Sequence, residues 1–141
     1  MKFMKKNEIH LSFCIWGFQD ISHSEITVIM GVSPSGIHIE GERMNSKSSR
    51  LAKENGWFLD SSTDKLIPFE EQMDSLLDIL ESRKESLKTI CNNYYCEFSL
   101  ALYIYSDEES TPSVHLSSRY HTLAKELKFE FDLDLYCLQN A

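Results

Sequence analysis

The chain of 141 residues predicts an α+β fold, a ferredoxin-like sandwich in which a mainly antiparallel sheet carries its helices on one face. Three observations lead there. Segments alternating apolar and polar residues with period two recur along the chain, the mark of strands buried on one side only. Between them stand segments with helical spacing and recognisable caps. The order strand, capped helix, strand occurs in Glu8 to Glu42 and again in Cys96 to Leu138, an echo that suggests a pseudo-twofold repeat about a long central helix. The length suits one core, so residues 1–141 are read as a single domain.

From Glu8 to Trp16 the alternation is strict: Ile9, Leu11, Phe13 and Ile15 face inward, and His10, Ser12, Cys14 and Trp16 face outward. Ser22 and Glu25 have the spacing of a capping box and open a short helix through Ile26, Ile29 and Met30 that stops at Gly31. Pro34 and Gly36 turn the chain into a second strand, with Ile37 and Ile39 inward and His38, Glu40 and Glu42 outward. Met44 to Gly56 is polar and without pattern, the best candidate for a mobile loop. Trp57, Phe58 and Leu59 form a third, short strand.

Pro68 opens a long helical segment, since proline suits a first turn. Its apolar positions are Met73, Leu76, Leu77, Leu80, Leu87 and Ile90, with a break expected at Glu81 to Lys84. A strong strand follows, with Phe98, Leu100, Leu102 and Ile104 inward and Glu97, Ser99, Ala101, Tyr103 and Tyr105 outward. Asp107 to Pro112 reads as a solvated loop. Ser117 caps a helix that carries Tyr120, Leu123, Ala124 and Leu127. The last strand puts Phe129, Phe131, Leu133, Leu135 and Cys137 inward and Glu130, Asp132, Asp134 and Tyr136 outward.

Composition narrows the function. The net charge of −8 repels phosphate backbones and anionic lipid, so neither nucleic acid nor a membrane is expected as a partner. The basic start Met1-Lys2-Phe3-Met4-Lys5-Lys6 is not followed by a continuous apolar segment, because His10, Ser12 and Gly17 interrupt it. A cytoplasmic protein is therefore expected. Cys14, Cys91, Cys96 and Cys137 lack the spacing of a redox or zinc pair, and Cys14 and Cys137 are expected as small hydrophobes within strands.

The outward sides of the strands hold the candidate site. They collect the carboxylates Glu40, Glu42, Glu97, Glu130, Asp132 and Asp134 with the aromatics Trp16, Tyr103, Tyr105 and Tyr136. Aromatic rings supply contact area at low entropic cost, and surrounding carboxylates steer lysine and arginine onto them. An RNA-binding sheet of this shape would flank its aromatics with basic residues; here the sign is reversed. The face is expected to dock a basic protein partner, and a second copy of the chain is another way to cover it. The plain alternative is a solvated sheet face with aromatic cross-strand pairs.

Sharper chemistry finds little support. Asp132 and Asp134, with Glu97 across from them, make a candidate acid/base or cation-binding set, but exposed alternating acids are commoner than catalytic pairs. His10 and His38 are expected as neighbours on adjacent strands, while His23, His115 and His121 are scattered, so no metal is expected. Gly31 and Gly36 lack the lysine and hydroxyl of a phosphate loop, no nucleophile elbow occurs, and Ser22-His23-Ser24 reads as a cap. No cofactor and no catalytic residue are assigned. A small-ligand site is the second reading, placed where Trp57, the Met44 to Gly56 loop and Gly41-Glu42 meet the sheet.

Several short motifs carry a family likeness. Met30-Gly31-Val32-Ser33-Pro34 ends the first helix, Gly41-Glu42 follows the second strand, Trp57 opens the next, and Leu133-Asp134-Leu135-Tyr136 closes the chain after the helix from Pro68. In this order the chain resembles a bacterial family known only as domain of unknown function 4279, over about Ile9 to Leu138. The resemblance implies a small α+β domain and carries no catalytic residue across. Size, acidity and the acid-plus-aromatic face lead to the functional expectation of an immunity-type or adaptor protein that neutralises a basic toxin or partner by direct contact.

Overall fold

Period-two patterning yields five strands and helical patterning four helices in the computed structural model, which describes residues 5–61, 64–106 and 111–138. In chain order they are β1 (Glu8–Trp16), α1 (His23–Met30), β2 (Gly36–His38), β3 (Gly56–Asp60), α2 (Phe69–Ser82), α3 (Lys84–Asn93), β4 (Tyr95–Ile104), α4 (Ser118–Glu126) and β5 (Glu130–Cys137). The strands form one open sheet in the order β2-β3-β1-β4-β5. All neighbours are antiparallel except β4 and β5, which run parallel. That exception follows from the connection: α4 lies between them in sequence, and a helical crossover returns the chain in the direction it left.

The helices cover one face. Ile9, Leu11, Phe13 and Ile15 of β1 and Phe98, Leu100, Leu102 and Ile104 of β4 join a single apolar cluster with residues from all four helices. Full burial of a side chain such as Phe13 or Leu100 contributes about 1.5–3 kcal/mol relative to exposure. The two strand–helix–strand units differ in geometry: β1 and β2 are separated by β3, whereas β4 and β5 are direct neighbours.

Local signals set the helix ends. Ser22 accepts from the Glu25 N–H while the Glu25 carboxylate accepts from the Ser22 N–H, the capping box expected for α1. Gly31 closes that helix at φ 71°, and its N–H donates to the Thr27 carbonyl. Its missing side chain also leaves room for the Arg83 guanidinium, which packs against the end of α1. A cation there offsets the negative end of the helix dipole. Arg83 itself is the expected break, with φ −118° and ψ 16° between α2 and α3.

Polar clamps join the layers. Gln72, buried on α2, donates to the carbonyls of Ile9 and Ile67 and accepts from the Ser61 hydroxyl. Arg119 of α4 reaches three carboxylates spaced along α2: Asp74, Asp78 and Glu81. Lys84 of α3 pairs with Glu126 of α4 at 2.8 Å.

Several expectations fail at the sheet edges. The second strand ends at His38, so Glu40 and Glu42 lie in the turn beyond it and not on a strand. Ile37 and Ile39 are about two-fifths exposed, and β2 is an edge strand that pairs on one side only. At the opposite edge Phe129 and Phe131 do pack on the core, but Leu133, Leu135 and Cys137 are exposed as β5 runs past the helices. Ala124 is exposed on α4. The Met44 to Gly56 segment is more ordered than its polarity suggested: Arg43 bridges Leu51, Ala52 is buried, and Gly56 belongs to β3. Of the expected Asp107 to Pro112 loop, residues 107–110 lie outside the described residues, as does the basic stretch 1–4.

Candidate functional site

Among the described residues no helix covers the second face of the sheet, and the strand register lays it out in rows. His38, Gly56, Trp16 and Tyr95 form one end. Next come Gly36, Phe58, Cys14, Glu97 and Glu130, then Asp60, Ser12, Ser99 and Asp132. His10, Ala101 and Asp134 follow, and Glu8, Tyr103 and Tyr136 close the face. Aromatic groups thus stand at both ends, and between them Cys14, Ser12, Ser99 and Ala101 form a floor of small side chains along β1 and β4, flanked by carboxylates.

Charge on these strands has one sign. Six carboxylates occur in the five strands (Glu8, Asp60, Glu97, Glu130, Asp132 and Asp134), and all six fall on this face. No strand contains a lysine or an arginine. Glu97 is the best-held of the six: one oxygen accepts from the Trp16 indole at 3.2 Å and the other from the Tyr95 hydroxyl at 3.0 Å. Asp60 accepts from Ser12 at 2.6 Å, and Glu8 contacts His10 at 2.8 Å.

The negative field acts on its neighbours. Burial, followed by the charges of Glu97 and Asp60, pushes the Cys14 thiol up to about 12, so it is an inert filler of the floor and not a nucleophile. Partial desolvation, the Glu97 hydrogen bond and the charges of Glu97, Glu130 and Asp132 push the Tyr95 phenol up to about 12. Desolvation also raises Tyr103, with smaller effects from Tyr136 and Tyr105.

Two aromatic groups frame the floor. Tyr103 stacks on Tyr136 at 4.9 Å and on Tyr105 at 6.3 Å between centroids, and the Lys5 ammonium sits 4.1 Å from the Tyr105 ring centre. At the other end Trp16 contacts His38 at 5.5 Å and Phe58 at 5.9 Å. Gly36 and Gly56 make this second group possible, since a Cβ at either would collide with the Phe58 or Trp16 ring.

Of the residues predicted for the face, the sheet brings together Trp16, Glu97, Tyr103, Glu130, Asp132, Asp134 and Tyr136, with Tyr105 continuing the stack just beyond β4. Glu40 and Glu42 do not join them. Glu8, Phe58, Asp60 and Tyr95 complete the face and were missed; for Phe58 and Asp60 the signal was the alternation that continues from Trp57. His10 and His38 are not neighbours, because β3 lies between their strands: His10 packs on Tyr103 and His38 on Trp16. Glu97 stands opposite Glu130, not Asp132 or Asp134, which pair with Ser99 and Ala101. Among the described residues no cluster of three histidine, cysteine or acidic side chains has metal-binding geometry.

Beside Trp16 the face deepens into a pocket of about 560 Å³, walled by His38, Met44, Arg50, Leu51, Ala52, Lys53 and Glu54. Of the expected ligand site it keeps the loop after Met44, with two corrections. Trp57 is fully buried on the helix side, its N–H donating to Thr27, and has no part in the pocket; nor does Gly41-Glu42 line it. Strand parity puts Trp16 there instead.

The family model described as domain of unknown function (DUF4279) matches residues 7–138, nearly the whole chain. No curated protein and no solved structure matches.

Proposed function

The chain belongs to the DUF4279 family, and from that premise we propose that it is a binding protein that docks a basic protein surface on the uncovered face of its sheet, most specifically an immunity-type inhibitor of a basic toxin. The single observation that carries this reading is the charge segregation within the strands, where all six carboxylates and no cation share the face that lacks helices. A face of one sign raises encounter rates with an oppositely charged partner and repels wrong ones. Stacked Tyr103 and Tyr136, with Tyr95 half exposed, supply the rigid contact area that charged pairs alone lack.

The edge strand supports a foreign partner over a second copy. Antiparallel pairing of two β5 edges in a register centred on Asp132 to Asp134 sets carboxylate opposite carboxylate, which is destabilising. A lysine- or arginine-bearing strand or loop meets no such penalty. The ferredoxin-like reading of the fold belongs with this proposal: the order β2-β3-β1-β4 supports it, with α4 and β5 as an added unit at the edge that carries half of the acidic set.

The test is co-expression with the product of the adjacent open reading frame, scored by relief of toxicity and by co-purification. Binding is expected to weaken steeply with salt and to be abolished by the double charge reversal Asp132→Lys, Asp134→Lys in a protein that still folds. A partner captured equally well by that variant, or no partner and no relief of toxicity, overturns the proposal.

A further inference from the structure

The pocket beside Trp16 has a chemistry opposite to that of the sheet face it borders. Arg50 and Lys53 stand on its wall, and among the described residues neither takes part in an ion pair. Among the described lining residues Glu54 is the one carboxylate, so two cations face one anion in a chain whose net charge is −8. Met44 and Leu51 are 39% and 58% exposed, large apolar side chains left open to solvent beside an indole.

The site is built before any ligand arrives. Trp16 is held against Gly56, its N–H bound to Glu97 and its edges flanked by His38 and Phe58. The opposite wall is tied down by backbone hydrogen bonds: Met44 N–H to the Arg50 carbonyl at 3.0 Å, Ala52 N–H to Glu42 at 2.8 Å and Gly41 N–H to Ala52 at 2.9 Å. Asn55 anchors the return of this loop, accepting from the Glu40 N–H and donating to the Phe18 carbonyl. A preformed concavity of about 300–1,000 Å³ with aromatic and apolar walls and a few directed polar groups is the usual form of a small-molecule site.

We propose that this pocket binds a small planar aromatic anion, its ring against Trp16 and His38 between Met44 and Leu51, and its carboxylate or phosphate between Arg50 and Lys53. Ring stacking on an immobilised indole costs little ordering entropy, and a guanidinium receives planar or tetrahedral oxyanions through paired donors. The pocket shares Trp16 and its Glu97 anchor with the docking face, but the cations and apolar side chains that would hold the ligand lie outside the strands.

Two indole N–H resonances, from Trp16 at the pocket and Trp57 in the core, give a direct test by NMR titration. The probes are 2-naphthoate, 1-naphthyl phosphate and neutral 2-naphthamide. Saturable shifts of the Trp16 signal with either anion, an unmoved Trp57 signal and at least tenfold weaker binding of the amide are expected. The exposed-loop double variant Arg50→Ala, Lys53→Ala is expected to lose about tenfold or more in affinity for the anions with no change for the amide. The naphthyl phosphate and naphthoate arms separate a phosphate ester from a carboxylate. No saturable shift with either anion, or equal affinities in wild type and double variant, overturns the proposal.

Discussion

The indole of Trp16 rests against the backbone of Gly56 so closely that a Cβ at position 56 would stand 2.5 Å from Cζ3. The two residues are direct partners across β1 and β3, and the glycine serves as the seat for the ring that separates docking face from pocket. Gly56→Ala is therefore expected to displace Trp16 and to destabilise the protein by about 1–3 kcal/mol, the usual cost of forcing atoms into a packed site. Urea denaturation measures the loss, and the near-ultraviolet circular dichroism of Trp16 reports the displaced ring.

Glu97 holds Trp16 and Tyr95 at once, and its charge helps to keep the Tyr95 phenol protonated. Glu97→Gln keeps an acceptor but removes the charge, so the Tyr95 ionisation is expected to fall from about 12 toward the ordinary tyrosine value of about 10. The sign for stability follows. A raised phenol favours the folded state fully below the unfolded value, and that contribution is lost as pH rises through the folded one. Wild type should thus lose more stability than the variant between about pH 10 and 12. Site-resolved NMR of the tyrosine ring carbons, with denaturation across that range, checks both.

Arg119 bridges α4 to α2, and its hydrogen bond to Glu81 holds that carboxyl below its ordinary value. Such a group contributes stability above the unfolded carboxyl value and loses it as pH falls through the lowered folded value. Because the pairs are solvent-exposed, Arg119→Ala is expected to cost only about 1 kcal/mol at neutral pH. The difference from wild type should shrink in acid below about pH 4.5. Paired urea titrations at neutral and acid pH, with the Glu81→Ala double-mutant cycle, test it.

Cysteine reactivity is expected to divide sharply. Cys137 is exposed, whereas Cys14, Cys91 and Cys96 are buried. The Cys14 thiol is raised by burial, and Cys96 is raised by its hydrogen bond with Cys91 and by burial. One thiol should therefore react rapidly with a disulfide reagent in the native state and four in denaturant, and Cys137→Ser should abolish the native reaction. Rapid modification of Cys14 in the folded variant would contradict the packing of the floor.

Much of the fold was legible because its signals are local. The Ser22–Glu25 capping box, the stop at Gly31, the break at Arg83 and the alternation in β1 and β4 depend on neighbours a few residues apart, and each stands in the structure as read. Seven of the ten candidate face residues share the outward side of the strands for the same reason, since period two leaves no freedom in which side a residue takes. Glu40 and Glu42 failed because a strand's end is decided by its partner. β3 runs only from Gly56 to Asp60, and pairing with β2 stops at His38 opposite Gly56. The exposure of Leu133 and Leu135 has a similar cause, for helix coverage of an edge strand is written in no local pattern.

By itself, then, the amino-acid order determined the faces: which side chains point to the core, which to the open side, and that the open side is acidic and aromatic. Backbone geometry dictates this residue by residue, without reference to distant chain. Only the tertiary structure decided the neighbours across strands, setting Glu130 beside Glu97, parting His38 from His10, and exchanging Trp57 for Trp16 in the pocket. Strand order and register arise from burying one shared core, and that minimum is a property of the whole chain.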